Sequence, residues 1–175
     1  MPPRDAEFNA IVDRFAGPVF NQALRLLGNR EDAEEATQDV FVNVFGSMEK
    51  FRGEAELSTW IFRITVNVCA SKRRKLRLEL EEIDENSEAL DAPAEDIQSN
   101  PGRLLARTDD RREIASLVAL LPGREAAAIT LFYLEEKAYS EIAGILEIPE
   151  GSVATALHRG RERLRKLISK QERPS

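Results

Sequence analysis

Apolar residues recur at helical spacing along most of the chain. Phe8, Ile11, Val12 and Phe15 form one face, the i, i+3, i+4, i+7 signature of an amphipathic helix. Gly17-Pro18 interrupts it, and Val19, Phe20, Ala23, Leu24 and Leu27 resume it, so the stretch predicts one or two helices that Gly28-Asn29 stops. Asn29 or Asp32 opens the next helix, which runs to about Met48 with Ala33, Ala36, Val40, Val44 and Met48 on one face, broadened by Phe41 and Phe45. A short loop follows from Lys50 to Leu57 with Gly53 at its centre. Ser58 is expected to cap a helix beginning at Thr59-Trp60. On that helix Trp60, Ile61, Ile64 and Val68 point one way, and Arg63, Asn67 and Ser71 another. It ends in the basic run Lys72-Arg73-Arg74-Lys75 with Arg77.

The pattern then changes. ELEEIDENSEALDAPAEDIQSN, residues 79–100, contains no Lys or Arg, and Pro93 and Pro101 break regular structure. This reads as an acidic, extended linker. About 25 residues at ~3.3 Å each reach ~80 Å, whereas a flexible coil of that length averages ~30 Å. Helical spacing resumes from Arg103 to Leu121 and, past Leu121-Pro122-Gly123, from Arg124 to Glu136, with Ala128, Ile129, Leu131, Phe132 and Leu134 available for packing. The reading is all-α: two small helical domains, 1–78 and 103–175, joined by an acidic flexible linker, 79–102.

Tyr139 to Lys170 has the form of a helix-turn-helix. Ser140 is placed to cap a first helix with Ile142, Ala143, Ile145 and Leu146 on its buried face, and Pro149 and Gly151 make the turn, Gly151 allowing close approach of the two backbones. Val153, Leu157, Gly160, Leu164, Leu167 and Ile168 then make one stripe of a long second helix. Its other side carries Thr155, His158, Arg159 and Glu162, flanked by Arg161, Arg163, Arg165 and Lys166. An apolar back and a basic front suit a helix that enters a major groove. A surface helix with a solvated charged face has the same periodicity.

Composition narrows the chemistry. A net charge of −6 argues against a basic coat over the whole surface, although local patches govern binding. Cys69 is the only cysteine and His158 the only histidine. No cysteine cluster, metal-ligand spacing, phosphate-cradling loop or catalytic constellation stands out, so neither an enzyme nor a bound cofactor is expected. No apolar run approaches the ~20 residues of a membrane span, and the first residues lack the apolar core of a signal peptide. A cytoplasmic protein without membrane insertion is expected.

Two blocks of sequence resemble a known family, the bacterial RNA polymerase sigma factors of the extracytoplasmic-function (ECF) group within the sigma-70 family. The first holds Gln38-Asp39-Val40-Phe41, Phe51-Arg52-Gly53, Ser58-Thr59-Trp60 and Arg63-Ile64-Thr65-Val66-Asn67; the second runs from Leu121-Pro122 through Tyr139-Ser140-Glu141-Ile142-Ala143 to Pro149-Glu150-Gly151-Ser152-Val153 and the arginine-rich tail. Each motif is weak alone, but in this order around an acidic linker they are specific. The resemblance implies a transcription initiation factor that joins core RNA polymerase. Glu35, Gln38, Asp39 and Asn43 would dock on the clamp coiled coil of the largest catalytic subunit, and the C-terminal domain on the flap of the second largest. Phe51, Arg52, Trp60, Arg63, Asn67, Lys72, Arg73 and Arg74 would meet the minus-ten promoter element as single strand, with a flipped base held in the loop from Phe51 to Leu57. Ser152, Ala154, Thr155, His158, Arg159 and Arg161 would read the minus-thirty-five element as duplex. An anti-sigma partner is also implied. Ala154, Ala156 and Ala126 stand where relatives often carry basic residues, which implies an altered base preference. The rival reading is a stand-alone helix-turn-helix regulator that never binds polymerase.

Overall fold

The structure, a computed structural model, describes residues 4–83 and 116–172. The regular structure among the described residues is all helical, in two units. The first comprises α1 (Arg4–Leu27), α2 (Arg30–Ser47), a 3-10 turn (Met48–Lys50) and α3 (Leu57–Ile83). The second begins with a helical turn at 116–118, continues through α4 (Gly123–Ile129) into a π-helical turn (Thr130–Leu134), and ends in α5 (Tyr139–Leu146) and α6 (Glu150–Glu172). The acidic linker and the helix expected from Arg103 fall largely outside the described residues.

α1 is a single helix that contains Pro18. The proline removes the N–H that would bond the carbonyl of Arg14, a defect that breaks many helices. Here Phe15 and Val19 are both buried in one cluster with Ile11, Val40, Phe41, Val44 and Ile61, so packing on both sides of Pro18 holds the helix together. α2 opens at Asn29. Its backbone is extended, and its side-chain oxygen accepts a hydrogen bond from the Asp32 N–H at 2.9 Å, an arrangement worth ~1 kcal/mol. α3 starts two residues earlier than Ser58 capping requires: the Trp60 N–H bonds the carbonyl of Glu56, and Ser58 lies inside the first turn. α3 also continues through Ile83, past the basic run expected to end it.

A second apolar cluster is shared by both units. Phe62, Val66 and Cys69 of α3 and Ala23, Leu26 and Leu27 of α1 belong to the same buried set as Leu117, Leu121, Ile129, Ile142, Ile145 and Leu157. Each large side chain fully buried there contributes ~1.5–3 kcal/mol. The two units therefore share one core rather than hanging apart on the linker.

The helix-turn-helix forms, with different local devices from those expected. Ala138 precedes α5 and Ser140 makes no cap, being exposed within the first turn. Glu147 terminates α5 in the left-handed region, φ 56°, and its N–H bonds the carbonyl of Ala143. The Pro149 carbonyl accepts from the N–H groups of Ser152 and Val153, which starts α6. Gly151 has open space where a Cβ would stand. The close approach is at Gly160, where a Cβ would meet Cγ1 of Ile129 at 2.7 Å.

Candidate nucleic-acid interface

The loop between the 3-10 turn and α3 is pinned at its base by two rings. Phe51 and Trp60 lie 4.9 Å apart at 31°, and the Phe51 N–H closes the turn on the Met48 carbonyl. Trp60 is half-buried and packs on the first apolar cluster, so it acts as the wall of the loop. Gly53 sits at φ 74° near the loop's apex, a conformation that favours glycine, and Arg52 is exposed beside it.

The polar residues of α3 expected to meet DNA divide into two groups. Asn67 and Arg74 are exposed. Lys72 pairs with Glu35 of α2 at 2.7 Å. Arg63 donates through Nε and Nη2 to the Gly144 carbonyl at 3.2 and 2.7 Å, and its Nη1 lies 3.2 Å from the Glu147 carboxylate. Arg73 donates through Nη2 to the carbonyls of Ala119, at 2.7 Å, and Leu121. A cleft of about 610 Å³ remains between the units, with Asn67, Arg73, Arg74 and Arg124 on its polar side and Leu27 and Leu120 among its apolar residues. Concentrated positive charge of this kind attracts phosphate.

On the outer face of α2, Glu35, Gln38, Asp39 and Asn43 are all exposed. Val42 lies among them with 70% of its surface exposed, and Phe45 is exposed at the next turn. Sequence reasoning passed over Val42, although its spacing from Gln38 and Asp39 places it on their face. A bare apolar side chain inside an acidic, amide-bearing patch suits protein contact. Phe45 is held from behind by Phe8, with ring centroids 5.0 Å apart, and by the Arg4 guanidinium over its ring.

On α6, Ala154, Thr155, His158 and Arg159 are exposed, Ser152 is half-buried, and Val153, Ala156, Leu157, Gly160 and Leu164 form the buried back. Thr155 Oγ1 donates to the Gly151 carbonyl. Arg161 is half-buried and donates to the Tyr133 hydroxyl at 3.1 Å, which turns it toward packing. Glu162, expected on the front, is buried, with its carboxylate 3.3 Å from His158 Nε2. Glu125 of α4 lies 2.9 Å from Arg163 Nε without hydrogen-bond alignment. Burial pushes its carboxyl above the usual range, and Arg163 and Arg159 pull it only partly back.

Comparison with known proteins decides what this arrangement belongs to. Residues 11–79 match the sigma-70 region 2 family and residues 111–164 the sigma-70 region 4 family. The chain is 30% identical over 165 residues to the ECF RNA polymerase sigma factor SigW of Bacillus subtilis, covering 92% of this chain and 88% of that protein. It is 31% identical over 161 residues to the ECF sigma-E factor of Escherichia coli K12, covering 89% and 83%. This chain is an ECF sigma factor.

Against SigE of Mycolicibacterium smegmatis the identity is 32% over 164 residues, and the sigma factor described here spans 62% of that protein's length. Its fold resembles two solved structures. One is RpoE in complex with the anti-sigma factor NepR from Bartonella quintana, with a TM-score of 0.66, 21% identity and 93% and 97% of the two chains covered. The other is CnrH in complex with the cytosolic domain of CnrY, at 0.61, 22%, 95% and 90%. The sigma factor's three alanine departures take different meanings in the fold. Ala126 and Ala156 are buried in the shared core, and only Ala154 faces outward. Cys69 is 1% exposed, and burial pushes its thiol up to about 12 despite Arg73 and Lys72 nearby. That makes it a packing residue with no thiolate at neutral pH. Among the described residues no group of three or more His, Cys, Asp and Glu could hold a metal ion, and no helix is long and apolar enough to cross a membrane.

Proposed function

We propose that this sigma factor acts in the cytoplasm by binding core RNA polymerase through α2 and directing it to promoters through α3 and α6. The observation that carries the reading is the exposed group Gln38, Asp39, Val42 and Asn43 on the same chain as a helix-turn-helix whose Thr155, His158 and Arg159 face solvent. A stand-alone regulator leaves the first group without a purpose. In this reading α2 docks, with Glu35 at its margin, on the clamp coiled coil of the largest subunit, and residues 103–175 meet the flap of the second largest. The loop after Phe51 receives a base flipped from the minus-ten strand, at a cost of a few kcal/mol. Arg52, Arg63, Asn67, Lys72, Arg73 and Arg74 meet that strand, with Trp60 as the wall. Ser152, Ala154, Thr155, His158 and Arg159 read the minus-thirty-five duplex, with Arg161 at its edge.

The two promoter elements lie ~50–70 Å apart at ~34 Å per turn, so engaging both requires the two units to part on the linker, 79–102. An anti-sigma protein, as NepR is to RpoE in one of the similar structures, is the expected inhibitor of this chain too. Its stoichiometric co-purification would support that, and full activity of the free protein in cells would oppose it. The test of the main reading is run-off transcription with bacterial core polymerase on fragmented genomic DNA. New discrete transcripts that disappear with Asp39→Arg are expected. Absence of both transcripts and core binding would leave the stand-alone regulator as the better account.

A further inference from the structure

We propose that the first turn of α1 is part of the polymerase-docking platform: Arg4, together with Phe8, fixes the Phe45 ring of α2 as an aromatic anchor for an apolar recess, rimmed by basic groups, on core polymerase. The inference rests on the functional reading above and adds a positioning residue to it.

Phe45 follows Gln38 and Val42 at offsets of four and three, so the three share one face of α2. A surface phenylalanine is ordinarily free to change rotamer, but this one is gripped from two sides. The Phe8 ring meets it edge-on, with centroids 5.0 Å apart at 78°. The same Phe8 stands 6.4 Å from the buried Phe41, which ties the surface ring to the core. The Arg4 guanidinium lies 4.4 Å from the Phe45 centroid. Both contacts still leave Phe45 37% exposed, beside Val42 at 70%. Arg4 is itself held. Its Nη2 donates to the Phe45 carbonyl at 2.6 Å and its Nη1 to the Glu49 carboxylate at 3.0 Å. The Phe45 carbonyl lies in the last turn of α2, where helix carbonyls carry partial negative charge, and that turn has no basic residue of its own. Arg4 supplies the cation from α1, so one side chain caps the helix and steadies the anchor. Val19 of α1 and Val40 and Val44 of α2 are already fully buried in the first apolar cluster, so Arg4 and Phe45 meet at the surface of the helix pair rather than in its core. A ring held before contact loses less freedom on binding than a mobile one, and aromatic side chains are frequent centres of binding energy. Glu35 and Asp39, exposed on the same helix, complement a basic rim around the recess.

The experiment is a double-mutant cycle on the affinity of the full-length protein for bacterial core polymerase, read by competition with labelled parent. Phe45→Ala should weaken binding about thirtyfold, as loss of a central aromatic does. Arg4→Gln should weaken it about fivefold, the scale of ordering one side chain on binding. Arg4→Lys, which keeps a cation for the ring and for Glu49, should fall between Arg4→Gln and the parent. In the Phe45→Ala background Arg4→Gln should cost nothing further, because its effect runs through the ring. Equal losses in both backgrounds overturn the proposal, since Arg4 would then touch polymerase itself or support the fold at large. Parent-like affinity of Arg4→Gln also overturns it, and Arg4→Lys no better than Arg4→Gln overturns the role given to the cation. If Phe45→Ala binds as the parent does while Asp39→Arg does not bind, the anchor is overturned and the functional reading stands. If the parent itself fails to bind core polymerase, that reading fails and this proposal with it.

Discussion

Replacing Gly160 with alanine separates two opposing terms. Alanine loses less backbone entropy on folding, which stabilises a compatible helical position by ~0.4–1 kcal/mol. The new Cβ, however, would lie 2.7 Å from Cγ1 and 3.1 Å from Cδ1 of Ile129 and 3.5 Å from the Glu125 carbonyl. Ile129 is itself buried in the shared core, so α6 must shift away from α4, and overpacking of this kind costs ~1–3 kcal/mol. The net expectation is a loss of about 1 kcal/mol. Gly151→Ala supplies the reference, because it lies on the same helix with nothing within 4 Å of its Cβ position; it should gain the entropic ~0.4–1 kcal/mol alone. In urea, with a slope of ~2 kcal/mol per molar, the two variants should differ in midpoint by about 1 M, Gly160→Ala being the lower. Coincident midpoints, both above the parent, would show that Ile129 changes rotamer without cost and that Gly160 does not set the α4–α6 distance.

Three further outcomes are expected. Gln22 is fully buried, and neither side-chain polar atom has a partner among the described residues, so Gln22→Met should raise the unfolding free energy by ~1–2 kcal/mol; destabilisation would reveal a partner for the amide. Cys69 should resist iodoacetamide in the native protein at pH 8 and react only in denaturant, and rapid native labelling would contradict its burial. Burial holds the Glu135 carboxyl above the usual range, with Arg25 and Lys137 only partly opposing it. A raised folded-state value contributes stability that is present below the ordinary carboxylate value, ~4.3, and lost as pH rises through the raised one. Glu135→Gln should therefore gain on the parent as pH goes from about 4 to 7; a parent that gains instead would show that the Arg25 pair dominates.

The sequence carried most of the helices and the site-bearing faces. The stripe Val153, Leu157, Gly160, Leu164 is buried as its spacing predicts, and Asn29 caps α2 as its residue type suggests. Periodicity reports which face of a helix is apolar and nothing about what covers it. Phe62, Val66 and Cys69 form a second apolar row on α3 at helical spacing, yet their burial depends on the other unit, which lies far along the chain. The same limit hid the partners of Arg63 and Arg73, since backbone carbonyls leave no trace in sequence. Local conflicts were resolved by packing: Pro18 is tolerated because Phe15 and Val19 anchor the helix around it, and Gly151 and Gly160 look alike until their neighbours are known.

The engagement of Arg63 and Arg73 bears on how such a protein finds its target. A chromosome offers on the order of 10⁶–10⁹ near-miss sites, and any freely diffusing factor with its cationic grip available would spend most of its time on them. With Arg63 and Arg73 held by backbone carbonyls of the other unit, two fewer cations are free to meet phosphates, so the compact chain should hold random DNA more weakly.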